Sequence, residues 1–595
     1  MPTQPNPRLE TALEYLLSGD ILWARRYEPE SMRLLSRLWR DLPADGAARL
    51  IERVMAGPPD VDNDGRRAWW LASRLAEMRA AGGPQLPPEA LSQLDAVEAE
   101  HGAVEPPSAS KLGLVELVRL AVPERAGISE KNMLALELDE LARMLSEPQV
   151  RHDRFFDDTR ECLMTLWRGV VPRRPLSAVA MLERLADMGV WPVDTWQATL
   201  LGFDEMPRRS FKAAVFRRIA HVLVNAPDTF LEDKGAAWAI GFWLPAATRA
   251  TPLRPDDLFW PLWDRLASFF FAHPLPSGED RDPLHAAINE PPGRLTEALL
   301  HRFFAHGPKT GRGIPSEVEP RLRLVVSGQG KGFRLGRVIL ARHLTALFVT
   351  EPGWALKHLV PLFDWSEPSE AAAVWRGFLA GGSIDPKVFT ALKDAFIETL
   401  RHHDGDVHDS KERLWWTFVM VSIEIAGFVD PQTAQSLLRS AAPDARRHAA
   451  FQLYRMMPDD PASAASFWTA RIGPWIDSAW PKDVGLREAG SSEALALAAV
   501  LSGGSFPGAM DLTEDLLVPC DRHLRLVHRL AETDLPDQYP EEVLRLLNVV
   551  ISKLVPYWGA AEVRGVLERL VTANRALAED HRYRRLDAEL RRHGK

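Results

Sequence analysis

Two cysteines, Cys162 and Cys520, are all that the 595 residues contain. That is too few for a disulfide framework or a four-thiolate metal site within one chain. Period-two alternation of apolar and polar residues bounded by turn residues is almost missing, which argues against half-buried strands. No apolar run reaches the ~18 residues of a membrane span; the nearest, AAWAIGFWLPAA, is short and carries Pro245. The opening MPTQPNPRLETALEYLL has neither the basic nor the apolar region of a secretory signal. These absences set the expectation of a reduced, cytoplasmic, membrane-free protein. Charge of one sign is also scarce: a net charge of −9 and a pI near 6.1 give no global attraction to nucleic acid or anionic lipid, so any basic surface must be local. Neither H-E-x-x-H nor G-x-S-x-G occurs.

What is present is ordinary folded material, 46% hydrophobic and 26% charged. The length exceeds the size at which one core stops growing, which requires several domains or a quasi-one-dimensional stack. Twenty Trp against six Tyr suggest indole wedges between helices, each needing an acceptor for its N–H. Helical spacing recurs nearly everywhere, so the fold class is all-α, an irregular α-solenoid or consecutive helical bundles without a fixed repeat period. In SIDPKVFTALKDAFIETL, Asp385 is placed to cap a helix that Pro386 begins, and Ile384, Val388, Leu392, Phe396 and Leu400 form one apolar stripe. Val338 to Phe348 reads as one helix apolar around most of its circumference. NMLALELDELARML reads as another, and the charged HRYRRLDAELRRHGK as a terminal cap. Pro/Gly-rich breaks divide the chain into 1–105, 106–273, 284–440 and 441–595.

Three stretches could carry chemistry. The Gly-rich SGQGKGFRLGR, Ser327 to Arg337, precedes helical text as a phosphate loop would, but its glycine spacing fits neither a Walker A loop nor a dinucleotide fingerprint. The RLRLVV before it could be a short strand. Lys309, Arg312, Arg321, Arg323, Lys331, Arg334 and Arg337 face only Glu317 and Glu319 along the sequence. Of these, Arg321, Arg323, Lys331, Arg334 and Arg337 are the candidate partner- or phosphate-binding residues, against the blander reading of a solvated face. RHHDGDVHDSKE concentrates His402, His403, Asp404, Asp406, His408 and Asp409, yet reads as a polar interhelical loop more readily than as a metal site. His152–Asp153 lacks the further ligands that a metal-dependent phosphohydrolase needs. His358, four residues from Trp354 and from Leu362, reads as a core-edge histidine with a satisfied ring nitrogen. No catalytic residue, metal or cofactor is assigned.

Within the central stretch, INEPPGRLTEALL, EPGWALKHLVPLFDW and EAAAVWRGFL resemble the helical C-terminal region of bacterial sirtuin-like proteins associated with anti-phage defence. The packing residues Asn289, Gly293, Leu295, Trp354, Pro361, Trp365, Ala371, Trp375 and Leu379 carry the resemblance, over about a sixth of the chain. It implies a helical region that senses or scaffolds. The sirtuin Gly-Ala-Gly loop, Asn-x-Asp motif and catalytic histidine are missing, so NAD cleavage is not carried over and the chain is expected to be the helical part alone. The leading expectation is a non-enzymatic helical scaffold or sensor that binds a protein, such as a separately encoded effector, or a nucleic acid. The alternatives are an enzyme with its site in the His/Asp or Gly-rich loop, and a purely structural adaptor.

Overall fold

The structure, a computed structural model, describes residues 7–17, 22–23, 28–57, 64–101, 103–104, 128–146, 159–206, 213–250, 258–274, 282–305, 307, 309–311, 313–407, 410–520, 523–551 and 560–593. Among them there is no strand, and no single helix is long and apolar enough to cross a membrane. Contacts divide the chain into two units, Met1–Leu262 and Trp263–Lys595, with the division inside the helix Phe259–Phe270.

The helix starts follow from local chemistry. Asp-Pro pairs recur at 282–283, 385–386, 430–431 and 460–461. In each the aspartate accepts backbone N–H groups of the first turn, for example Lys387 N at 2.9 Å and Val388 N at 3.1 Å for Asp385. The proline fills the first helical position, where its missing N–H costs nothing. Val388, Leu392, Phe396 and Leu400 are buried as the stripe requires, with Ile384 half-buried.

In the first unit, buried residues from Leu13 to Val104 form one core. Arg74 sits there over the rings of Trp23 and Trp70 while donating to Leu22 O at 2.9 Å and 3.1 Å. Beyond it run α1 (Leu138–Ser146), α2 (Thr159–Val170), α3 (Pro175–Asp187), α4 (Val193–Asp204), α5 (Ala213–Val224) and α6 (Lys234–Ala250). They pack in two rows, α1·α3·α5 and α2·α4·α6, each helix against the next but one in sequence. This alternation is how helix pairs stack into a solenoid.

The second unit repeats the scheme with α7 (Pro291–Ala305), α8 (Glu319–Ser327), α9 (Lys331–Arg342), α10 (Pro368–Gly381), α11 (Pro386–His402), α12 (Lys411–Glu424), α13 (Pro431–Ser440), α14 (Pro443–Met456), α15 (Gly473–Ala479), α16 (Ala489–Leu501), α17 (Phe506–Thr513), α18 (Leu524–Ala531), α19 (Pro540–Val550), α20 (Ala560–Ala573) and α21 (His581–His593). The first row is α7·α9·α10·α12·α14·α16·α18·α20 and the second α11·α13·α15·α17·α19·α21. The fold is therefore an all-α solenoid, irregular because its helices start at unequal intervals. The first row is tight where glycines replace side chains: a Cβ on Gly377 of α10 would stand 2.3 Å from Val338 O of α9.

Four expectations are corrected. RLRLVV lies in α8, not a strand, because Leu322 and Val325, three apart, are both buried. The Val338–Phe348 helix starts earlier, at Lys331, and breaks at His343, after which Leu344–Thr350 follows. NMLALELDELARML is two helices, Glu130–Ala135 and α1, because Leu136 is extended. Trp167, Trp263, Trp375 and Trp415 do find acceptors for their N–H groups. The fully buried Trp196 and Trp243 instead have no hydrogen-bond partner for the indole N–H among the described residues and are held by stacking on Trp191 (5.2 Å) and Phe216 (5.5 Å).

Because Val338 O is fixed backbone, Gly377→Ala forces α9 and α10 apart. A loss of about 1–3 kcal/mol is expected from this overpacking, read as a lower urea midpoint.

Candidate functional site

The basic Gly-rich stretch folds into the stack. Gly332 and Gly336 serve helix packing: a Cβ on Gly332 would lie 2.4 Å from Phe271 O, and one on Gly336 2.7 Å from Val325 Cγ1. What remains between α8 and α9 is Gly328–Gly330, where Gly330 takes φ 105°.

The cations meet carboxylates that are distant in sequence. Arg337 is buried and donates to Gly328 O at 2.6 Å, to Val325 O and Val326 O at 3.3 Å, and to both carboxylate oxygens of Glu370 at 2.6 Å and 2.8 Å. Arg334 also reaches Glu370, at 3.2 Å. Arg321 pairs with Asp264, and Arg323 with Glu319 one turn away. Lys331 is exposed at the start of α9, Lys309 is exposed before it, and Arg312 lies outside the described residues. The expectation that these cations face only Glu317 and Glu319 is thus corrected, since helix packing brings Asp264 and Glu370 to them.

Arg337 belongs to a recurring arrangement. Arg160 of α2 donates to Leu145 O at the end of α1 (2.6 Å) and to Asp194 of α4 (2.9 Å). Arg446 of α14 donates to Leu438 O and Ala441 O at the end of α13 and pairs with Glu488, the residue just before α16. Each time a guanidinium satisfies carbonyls that a helix end leaves without partners, and binds a carboxylate at the start of the next helix in its row.

The His/Asp loop is also occupied by its own contacts. His403 stacks on Trp365 at 3.8 Å and bonds Asp406 through Nδ1 at 2.7 Å, while Asp404 lies 3.5 Å from Lys411. No group of three or more potential metal ligands forms among the described residues; His408 and Asp409, like His152 and Asp153, lie outside them. His358 rests against Trp354 at 5.1 Å and is half-buried as expected, but its ring nitrogens make no hydrogen bond among the described residues. Burial, with Lys357 and Arg323 nearby, lowers its pKa.

The feature that sequence reasoning missed is a groove of about 330 Å³ across three successive turns of the second unit. The turns follow α14 (Pro458, Asp459, Pro461), α16 (Gly503, Gly504) and α18 (Glu532, Thr533, Asp534, Leu535). Gly503 adopts φ 56°, and a Cβ there would stand 2.9 Å from Pro461 O, so only glycine lets these two turns approach. Gly504 has open space around it. Val500 and Leu535 supply buried apolar lining. The signal available in the sequence was the composition of the turns, P-D-D-P, S-G-G-S and E-T-D-L-P. Nothing local says that they converge.

No family model and no curated protein matches the chain. Among solved structures it is similar to the crystal structure of Kap121p bound to Ste12p, with 11% identity over 92% of this chain and 57% of that one, at a TM-score of 0.39. It is likewise similar to a Kap121p mutant, with 12% identity over 97% of this chain and 64% of that one, at a TM-score of 0.41. The chain thus spans less than two thirds of the length of either.

Burial disfavours ionised Glu370, but its hydrogen bonds to Arg337 and Arg334 outweigh that and hold the carboxyl below the usual carboxylate range. Its stabilising contribution is therefore present above that range and lost as pH falls through the folded-state value. Glu370→Gln leaves a buried guanidinium uncompensated and is expected to cost about 3–5 kcal/mol at neutral pH. Melting temperatures followed from neutral to acid pH should show the variant's deficit narrowing as wild-type Glu370 takes up its proton.

Proposed function

We propose that this chain is a helical scaffold that binds an extended segment of a partner protein across the turns of its second unit. The observation that carries the reading is the groove over the turns after α14, α16 and α18, half apolar and half polar, on a stack whose conspicuous charges are otherwise paired within the chain. A groove that crosses successive turns of a helical stack suits a linear ligand, because an extended segment can contact each turn in succession. Rigid helices hold the lining in place, so little ordering entropy is lost when the segment binds.

The finer part of the proposal is that the partner is a separately encoded effector of a bacterial anti-phage defence system. It is supported by the resemblance of the central stretch to the helical region of sirtuin-like defence proteins. Loss of phage resistance on deletion of the gene from its native host would be the corresponding phenotype.

A photo-crosslinking phenylalanine analogue in place of the exposed Gln538 stands at the edge of the groove without filling it. In the full-length chain it is expected to yield adducts with a polypeptide, insensitive to nuclease and absent when the analogue stands at an exposed position outside the groove, such as Asp394. Adducts that vanish on nuclease treatment, or equal adducts at both positions, would remove the reading.

A further inference from the structure

The lining of the groove is polarised in a way that selects its occupant. Asp459, Glu532 and Asp534 contribute three carboxylates against the single guanidinium of Arg529, which is itself paired with Glu532 at 3.2 Å. Among the described residues Asp459 and Asp534 make no ion pair or hydrogen bond through their carboxylates, and both are exposed at the rim, although Arg569 interacts with Asp534 electrostatically. The C-terminal ends of α14 and α16 open onto the same turns, and a helix end of this kind carries a partial negative charge of roughly half an elementary unit. The end of α18 is different, because Arg569 donates to Ala531 O at 3.1 Å and to Thr533 O at 2.7 Å and pairs with Asp537. The balance at the groove is therefore negative, with Arg569 near Asp534 and the N-terminus of the short helix Leu535–Gln538 as its positive contributions.

Below the rim the chemistry changes. Pro458, Pro461, Val500, Leu501 and Leu535 present hydrocarbon, with Val500 and Leu535 buried. A negative rim over an aliphatic floor matches the two halves of a lysine or arginine side chain, whose methylenes lie on apolar surface while the charged end stays with carboxylates and water. A phosphate, an acidic peptide or a nucleic-acid backbone would be repelled.

We propose that the groove holds an extended segment of the partner bearing lysine or arginine, with the cationic head at Asp459 and Asp534 and its stem on Pro461, Val500 and Leu535. The proposal rests on the protein-binding reading above and narrows it. The basic stretch around Lys331 has no part in it.

The test uses the full-length protein and labelled peptides of one apolar frame that differ only in carrying lysine and arginine, glutamate, or serine. Fluorescence anisotropy is expected to show binding of the basic peptide alone, weakening as salt is raised. Asp459→Lys combined with Asp534→Lys should weaken it by at least tenfold, and Gly504→Phe, which fills open space, should do the same with an unchanged melting temperature. Equal binding of the serine or glutamate peptide at the groove would overturn the charge selection and leave the protein-binding reading standing. Failure of every peptide to bind, or indifference of the basic peptide to Gly504→Phe and to the charge reversals, would overturn the assignment of the groove. Spermidine competing as well as the basic peptide would show a site for small cations and sink the peptide proposal.

Discussion

The carbonyl groups left over at the end of a helix are the constraint on which this stack depends. A solenoid of short helices has a helix end at every turn, and each end leaves acceptors without intrahelical partners. At the ends of α1, α8 and α13 the chain satisfies them with Arg160, Arg337 and Arg446, placed on the following helix. Each arginine in turn binds a carboxylate at the start of the next helix of its row, Asp194, Glu370 or Glu488. One side chain therefore closes a helix end and fixes the step to the next repeat. A lysine could not do both, because it lacks the planar set of donors that reaches carbonyls and a carboxylate together.

The same geometry explains why charge that is conspicuous in the sequence is quiet in the structure. Arg334 and Arg337 share Glu370, and Arg321 is matched by Asp264. Around the groove the reverse holds: Asp459 and Asp534 are unremarkable in sequence, yet packing brings them to one groove, where neither forms an ion pair among the described residues.

Much of the architecture was legible because it is local. Asp385 with Pro386 states a helix start within two residues, and the spacing from Val388 to Leu400 states which face is buried. Errors arose where local signals compete. RLRLVV satisfies a strand pattern and a helix pattern alike, and the burial of both Leu322 and Val325 decided between them. The glycines before and within α9 looked like a loop because close approach of neighbouring backbone, such as Phe271 O to Gly332, leaves no mark of its own in sequence.

By itself, then, the sequence determined the helical class, the capping of helices by Asp-Pro pairs and the buried stripes, since each depends on residues within a turn or two of one another. Only the tertiary structure decided that Arg337 closes a helix end and binds Glu370, and that the turns after α14, α16 and α18 meet around one groove. The reason is the irregular spacing of the helices. Without a fixed period, the partner of a given charge or turn cannot be counted along the chain, and it is packing between helices next but one in sequence that brings the two together.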